Sequence, residues 1–113
     1  MLDKLEKQGW TIEKDENGTV TIFACFDGGY WSYINIWSTE AFKIHFKDEP
    51  AFVAKAELSE EKFVVTSITT HRMTNPYDSY YLEGKVNTFD DALSLANDAC
   101  QYEIERFDAF CKD

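Results

Sequence analysis

The side chains that most often carry chemistry in proteins are few in this sequence. There are two histidines in 113 residues. His45 is followed by Asp48 and Glu49, a grouping that could suggest a metal site, but no second histidine lies nearby in the sequence. A zinc site needs three or four ligands that converge on one point. We therefore interpret His45 as an exposed strand residue and predict no metal site.

The three cysteines make no stronger case for catalysis. Cys25 falls in a predicted strand, whereas Cys100 and Cys111 fall on one face of a predicted helix, ~16 Å apart along its axis and too far apart for a disulfide. A nucleophilic cysteine would need a histidine beside it. Each cysteine is better explained as a reduced, mostly buried thiol. The glycines also lack the spacing of a phosphate-binding loop, so we predict no catalytic residue and no cofactor.

Acidity is the strongest compositional signal, since the formal net charge is -10. Residues 88–113 carry seven acids and two bases, a net charge of -5, and residues 48–62 carry five acids and two bases, a net charge of -3. This acidity argues against nucleic acid and anionic membranes as direct ligands. A negative surface could serve only to keep the protein in solution, or it could steer the chain to a basic partner protein.

The last quarter of the chain predicts one long amphipathic helix over residues 88–113. Thr88 is a suitable N-cap, and Asp91 follows three residues later as in a capping box. At ~100° per residue, the apolar residues fall in one arc and an acidic stripe lies opposite it. The residues of this helix that we expect to contact a partner are Asp91, Asp98, Tyr102 and Glu105.

Glu103 breaks the pattern, because it falls inside the apolar arc of the predicted helix. A buried carboxylate is costly unless it is paired. One interpretation places Glu103 at the rim of the arc or beside a lysine or arginine of the sheet. The other makes it a functional carboxylate with a raised pKa in a cleft. We favour the first, because no other residue in the sequence converges on Glu103.

Ahead of this helix, the sequence predicts a short helix and then a run of strands joined by tight turns. The N-terminal helix covers residues 2–9. Alternation of apolar and polar residues predicts strands at 10–13, 19–26, 30–37, 41–47, 52–58, 63–70 and 80–86, with a loop at 72–79. Short hairpins between neighbours indicate an antiparallel meander. We therefore predict one α+β domain over residues 1–113, with six to seven strands and the long C-terminal helix packed on one face of the sheet.

The third predicted strand is apolar on both faces. Ile34 and Ile36 point one way, and Trp31, Tyr33 and Trp37 point the other way. Such a strand is either covered on both sides or keeps one face for a partner. The three aromatic residues are therefore candidate anchors of a binding surface, provided that they are exposed.

Few residues are candidates for catalysis, and the negative charge is concentrated in residues 48–62 and 88–113. Both observations favour a small, acidic, non-enzymatic binding protein. We expect it to dock on a basic protein, most plausibly as an inhibitor of a nucleic-acid-acting enzyme. Phage counter-defence proteins of the anti-CRISPR or anti-restriction type, and toxin-immunity proteins, often have this size and acidity; the analogy is one of class. No apolar run approaches the ~20 residues that span a bilayer, and the start lacks the pattern of a signal peptide, so we expect a cytoplasmic protein.

Two other functions stay open at this point. The first is a small-molecule-binding or enzymatic domain, with a pocket between sheet and helix lined by Trp31, Tyr33, Trp37 and Tyr81. The second is a homodimer or higher homo-oligomer in which the doubly apolar strand forms the subunit interface.

Overall fold

The chain folds as an α+β structure, as predicted. The computed structural model describes residues 1–71, 79–107 and 109–111. The elements of these residues are, in order, α1 (Leu2–Lys7), β1 (Thr11–Lys14), β2 (Val20–Phe26), β3 (Tyr30–Ser38), α2 (Thr39–His45), α3 (Pro50–Lys55), β4 (Phe63–His71), β5 (Tyr81–Val86) and α4 (Phe89–Arg106). The described residues thus contain five strands, and the expectation of six to seven is wrong.

The five strands form one antiparallel sheet whose spatial order is the order of the chain, β1-β2-β3-β4-β5. This arrangement confirms the predicted meander. The hairpins use glycine where a positive φ is needed, with φ of 82° at Gly18 and 91° at Gly28. The carboxylate of Asp15 also accepts the backbone N–H groups of Asn17 and Thr19, at 2.8 and 3.0 Å, and closes the first turn. Residues 72–78 of the predicted loop lie outside the described residues.

The two segments predicted as strands at 41–47 and 52–58 belong to helices α2 and α3 instead. The Ser38 hydroxyl accepts the Ala41 N–H at 3.1 Å, and this N-cap starts α2 directly after β3. Helix α3 begins at Pro50, whose fixed φ suits the first turn of a helix. The local start signals therefore decide the structure of both segments.

The alternation that predicted a strand over 41–47 has a second explanation in the helix. Phe42 and Phe46 are four residues apart, so they share a face of a helix as well as a face of a strand. Both are buried, whereas Ile44 between them is 70% exposed. In a strand, all three side chains would have pointed to the same side.

Helix α4 begins as predicted and ends earlier. The Thr88 hydroxyl accepts the Asp91 N–H at 3.1 Å, which confirms the cap. The helix ends at Arg106, and the chain then turns to pair with the end of β2 through a bridge between Phe26 and Phe110. The rings of these two phenylalanines stack at a centroid distance of 4.7 Å. Burying Phe110 against Phe26 therefore competes with continuation of the helix to residue 113.

The sheet carries a separate apolar cluster on each face. On one face, α4 and α1 cover β2 to β5, and the core includes Ile22, Ile34, Val65 and Ala96. On the other face, α2 and α3 cover one end of the sheet, and their cluster is mainly aromatic. Its buried members are Trp37, Phe42, Phe46, Ala56 and Val64. Among the described residues, the structure contains no helix that is both long and apolar enough to cross a membrane.

Candidate functional site

A pocket of about 570 Å³ opens between α4 and the outer strands β4 and β5. Its α4 wall is one stripe of the helix, in which each residue has a neighbour three or four positions away. The pocket is lined by Ser67, Ile68, Thr69, Ser79, Tyr81, Glu83, Leu95, Asp98, Ala99, Tyr102, Glu103 and Arg106. A volume of this size is within the usual range for ligand pockets, which runs from roughly 300 to 1,000 Å³.

Local features of β4 and β5 make room for the pocket. The pairing of these strands shifts register between Val65 and Thr66, a β-bulge that locally bends and twists the sheet. Gly84 lies next to the bulge, and a Cβ there would be 2.8 Å from a methyl carbon of Leu95. The absence of a side chain at Gly84 therefore lets α4 approach β5 closely at this point. Beyond it, β4 presents the small polar residues Ser67 and Thr69, which fill less of the space under the helix.

Glu103 is the buried carboxylate of the site, with only 6% of its surface exposed. Its Oε1 atom accepts a hydrogen bond from the Thr69 hydroxyl at 3.4 Å and lies 3.6 Å from Nη1 of Arg106. Its Oε2 atom is buried and has no hydrogen-bond partner among the described residues. An unsatisfied buried acceptor costs free energy. Among the described side chains that line the pocket, Oε2 is the buried polar atom that lacks a hydrogen-bond partner.

The environment of Glu103 raises the pKa of its carboxyl group. Burial is the largest cause, because it disfavours the charged form. The Arg106 guanidinium and the hydroxyls of Ser32 and Thr69 act in the opposite direction, and the nearby charge of Glu83 raises the pKa further. The buried position and the raised pKa agree with the second interpretation of Glu103, while its function stays a prediction. The first interpretation expected a basic partner from the sheet, but the partner is Arg106 of the same helix.

The pocket is negatively charged. Glu83 accepts a hydrogen bond from the Ser67 hydroxyl at 2.7 Å, which fixes its carboxylate on the sheet side. Asp98 lies on the exposed surface of α4 and lines the helix side. With Glu103, the lining carries three carboxylates against the single guanidinium of Arg106, a formal net charge of -2 (three minus one). Such a site attracts cations and repels anions.

Two tyrosines flank this charge. Tyr81 on β5 is 67% exposed, and Tyr102 on α4 is 62% exposed. Each lines the pocket with part of its surface and leaves the rest in solvent. Exposed aromatic rings beside carboxylates can contact both the apolar and the charged parts of a basic ligand.

The residues of α4 that the sequence analysis selected all lie on its solvent side. Asp91, Asp98, Tyr102 and Glu105 are exposed, and two of them, Asp98 and Tyr102, line the pocket. Asp91 and Glu105 do not line it. The acidic stripe of the helix thus passes along the rim of the pocket.

The three aromatic residues of β3 that were predicted as anchors, Trp31, Tyr33 and Trp37, lie on the opposite face of the sheet from α4. Trp31 is 37% exposed, and its ring and that of Tyr33 pack against the Phe23 ring at centroid distances of 6.4 and 5.7 Å. Trp37 lies further along the strand and is buried, and its indole N–H donates to the Thr66 hydroxyl at 2.8 Å. Trp37 is therefore a core residue and not an exposed anchor.

The expected pocket lined by Trp31, Tyr33, Trp37 and Tyr81 is corrected by this geometry. Of the four, only Tyr81 lines the pocket under α4. The reason is strand alternation, because Ile34 points into the core beneath α4 and its neighbours in β3 point away from it. For the same reason, the acidic stripe and the aromatic residues of β3 do not form one surface.

The histidines and cysteines lie outside the pocket lining. The ring of His45 packs on Trp37 at 4.6 Å, and Nε2 of His71 lies 2.8 Å from the Gly28 carbonyl oxygen. Burial raises the pKa of the Cys100 thiol far above its ordinary value, with a smaller contribution from the charge of Glu103, so the thiol stays protonated. In the part of the chain that the structure describes, no group of three or more histidine, cysteine or acidic residues could hold a metal ion.

One cysteine departs from the prediction of buried thiols. Cys111 is exposed, and its N–H donates to the Cys25 carbonyl oxygen at 2.8 Å. The residue lies beyond the end of α4, in the segment that pairs with β2. It therefore does not share a helical face with Cys100.

Sequence reasoning missed Glu83, Arg106, Ser67 and Thr69 as parts of the site. The one signal in the sequence was Glu103, a carboxylate at an apolar helix position. The strand residues could not be assigned, because their position depends on the bulge between β4 and β5 and on which face α4 covers. Comparisons of the chain with models of known families, with curated proteins and with solved structures gave no match.

Proposed function

We propose that this chain is a small, acidic, non-enzymatic binding protein that docks on a basic partner protein through the surface around the pocket. The observation that carries the proposal is the combination of an acidic pocket with two highly exposed tyrosines, Tyr81 and Tyr102, at its lining. Interfaces commonly gain most of their affinity from a few aromatic residues surrounded by polar groups.

The charge around the tyrosines supports a basic partner. Asp98 and Glu83 lie in the lining itself, and Asp91 and Glu105 extend the negative surface along α4. Complementary charge accelerates encounter and excludes partners of the wrong sign. The net charge of -10 adds a long-range attraction to any strongly basic surface.

Proteins that act on nucleic acids are a common class with such surfaces, because they must neutralise phosphates. An acidic protein that occupies the phosphate-binding surface competes with the nucleic acid. We therefore propose that the chain is an inhibitor of a nucleic-acid-acting protein, as in phage counter-defence proteins of the anti-CRISPR or anti-restriction type. A toxin-immunity protein would likewise bind the basic surface of a toxin through its own acidic surface.

A second candidate function is favoured by the shape of the site. A pocket of about 570 Å³ can hold a free small molecule, whose charged group would lie beside the carboxylate of Glu103. The lining charge restricts such a molecule to a cation. This alternative differs from the first because the exposed parts of Tyr81 and Tyr102 would contribute little to binding.

The proposal is tested by capture of a partner on immobilised protein, followed by affinity measurement with the purified partner. The variant is Tyr81→Ala with Tyr102→Ala, and the matched control is Phe23→Ala with Trp31→Ala on the other face of the sheet. We expect a basic protein to bind the wild type and the control, and to be released by salt. The tyrosine variant should bind at least ~30-fold more weakly, since two interface anchors are lost.

Three results would contradict the proposal. The first is a partner that binds the tyrosine variant as tightly as the wild type. The second is a partner lost from the Phe23/Trp31 control instead, which would move the interface to the other face. The third is the absence of any basic protein bound by the wild type from the native host's lysate.

A further inference from the structure

The buried oxygen Oε2 of Glu103 is the polar atom of the pocket that the described residues leave without a hydrogen bond. Buried polar atoms in native proteins are nearly always paired, and an exception calls for an explanation. Glu103 is 94% buried and lines the pocket, so a ligand that displaces the Arg106 side chain from this carboxylate could supply the missing donor. This observation identifies the group a ligand must bring, namely a hydrogen-bond donor beside a carboxylate.

The other charges of the pocket indicate that the hydrogen-bond donor of the ligand is positively charged. Glu83 and Asp98 add negative charge on two sides, and Arg106 is the one cation of the described lining. A neutral donor would leave that negative charge uncompensated, and the described residues offer no three-ligand metal site. An organic cation with several N–H donors fits the remaining requirement.

Arg106 is already a counter-ion of Glu103, but its contact with the carboxylate is long. Its Nη1 atom lies 3.6 Å from Oε1 of Glu103, which is an ion-pair contact longer than a hydrogen bond. About half of its side chain is exposed, and its guanidinium lies 5.2 Å from the centroid of the Phe107 ring. Because about half of the Arg106 side chain is already in solvent, it can move into water when another cation takes its place beside the buried Glu103 carboxylate.

We infer that the pocket receives one arginine side chain of the partner protein, whose guanidinium replaces Arg106 as the counter-ion of Glu103. The inference rests on the proposed function, since it assigns the partner group that enters the same site. A guanidinium presents five donors in a planar fork, so in the place of Arg106 it can bond the Glu103 carboxylate and a second carboxylate at once. Its flat faces also stack on tyrosine rings, which Tyr81 and Tyr102 provide.

The test uses capped amino acids as probes, with binding followed by two-dimensional ¹H–¹⁵N NMR. The probes are N-acetyl-arginine methylamide, its neutral isostere N-acetyl-citrulline methylamide, and N-acetyl-lysine methylamide. We expect the arginine probe to shift signals around the pocket with a dissociation constant on the order of 1 mM. The citrulline probe should bind at least ~10-fold more weakly, because it lacks the charge-assisted hydrogen bonds.

Three variants separate a direct contact from a structural role. Glu103→Gln keeps the shape of the side chain and should weaken the arginine probe at least ~10-fold. Arg106→Gln removes the resident cation and should strengthen it about twofold to fivefold. Asp91→Asn, on the same helix but outside the lining, is the control and should leave the affinity unchanged. About half of the Arg106 side chain is exposed, so its variant changes the counter-ion of Glu103 and leaves the buried side chain itself in place.

Equal binding of the arginine and citrulline probes would overturn the inference, as would an Arg106→Gln variant that binds the arginine probe more weakly. Equal binding of the lysine probe would overturn the assignment to arginine. If the arginine probe fails while Tyr81→Ala with Tyr102→Ala still abolishes partner binding, the docking surface survives without this inference. If the arginine probe binds but the tyrosine variant keeps its partner, the proposed function fails and the pocket serves a free guanidino compound.

Discussion

The two covered faces of the sheet differ in the size of the side chains that their helices present. Helix α4 packs on the sheet through Ala92, Ala96 and Ala99, and it carries a buried carboxylate at its C-terminal half. Helices α2 and α3 and the C-cap residue of α2 instead contribute large rings, Phe42, Phe52 and Phe46, which pack against one another. The Phe46 ring also packs against Trp37. Large rings fill the space between helix and sheet, whereas small residues beside small polar strand residues leave a pocket.

This contrast assigns different roles to the two faces. The cluster under α2 and α3 consists of buried apolar side chains in the described residues, and their burial stabilises the fold. The α4 face holds Glu103 at a position where an apolar residue would stabilise the fold more. Natural proteins break such local rules mainly at functional sites. The difference is therefore a physical argument for placing function on the α4 side.

The largest effect that would test the contrast is expected from Phe46→Ala. Phe46 is fully buried, and its ring contacts those of Phe42, Phe52 and Tyr80. Removing it should lower the free energy of unfolding by about 3–5 kcal/mol. Phe23→Ala, on the uncovered part of the same sheet face, is the matched control and should cost about 1 kcal/mol. Urea denaturation measures both, and equal costs would show that α2 and α3 do not bury their rings as described.

The same contrast explains how much could be predicted from the sequence. Helix α4 was predicted because an N-cap, a capping acid and a 3.6-residue period all agree over several turns. Helices α2 and α3 are only seven and six residues long, too short to separate helical from strand periodicity. Phe42 and Phe46 satisfy both patterns, and the Ser38 cap was the signal that would have decided between them.

The candidate site was less accessible to sequence reasoning than the fold. Glu103 was visible as an exception to its helix, and Asp98 and Tyr102 were selected from the exposed side. Which strand residues face them depends on strand register, and the bulge between β4 and β5 changes that register by one residue. Arg106 was missed although it follows Glu103 by three residues on the same predicted helix, a spacing at which two side chains can pair.

Removal of the N-cap of α2 or of α4 is expected to lower the free energy of unfolding by an intermediate amount. The α2 variant tests whether this segment is a helix and not the strand that the sequence predicted. Ser38→Ala removes the acceptor of the Ala41 N–H, and Thr88→Ala removes the acceptor of the Asp91 N–H. Each should lower the free energy of unfolding by about 1 kcal/mol. Ser94→Ala, at an exposed position within α4, is the control and should cost almost nothing.

The measurement is again urea denaturation, supplemented by amide hydrogen exchange of residues 39–45. If this segment is a helix, Ser38→Ala should accelerate exchange there. A neutral Ser38→Ala variant beside a destabilised Thr88→Ala variant would contradict the helical assignment of α2 and leave that of α4 intact.

The smallest effect on stability at neutral pH is expected from Glu103→Gln, and its sign is opposite to the others. Burial raises the pKa of Glu103 in the folded protein, while Arg106, Ser32 and Thr69 offset part of that cost. In the unfolded chain the carboxyl group ionises near its ordinary pKa of 4.5. As the pH rises through that value, the unfolded state releases its proton first, so the free energy of unfolding falls until the folded state also ionises.

Glu103→Gln removes this pH-dependent loss, because glutamine does not ionise. The variant should therefore gain stability relative to the wild type as the pH rises above 4.5, and the difference should level off above the folded-state pKa. Urea denaturation from pH 4 to pH 8 measures the difference, with Asp91→Asn as a control for a general change in charge. A difference that instead shrinks as the pH rises would mean that ionised Glu103 stabilises the fold. The α4 face would then contribute to stability in the same way as the aromatic face, with no energetic reason to place function there.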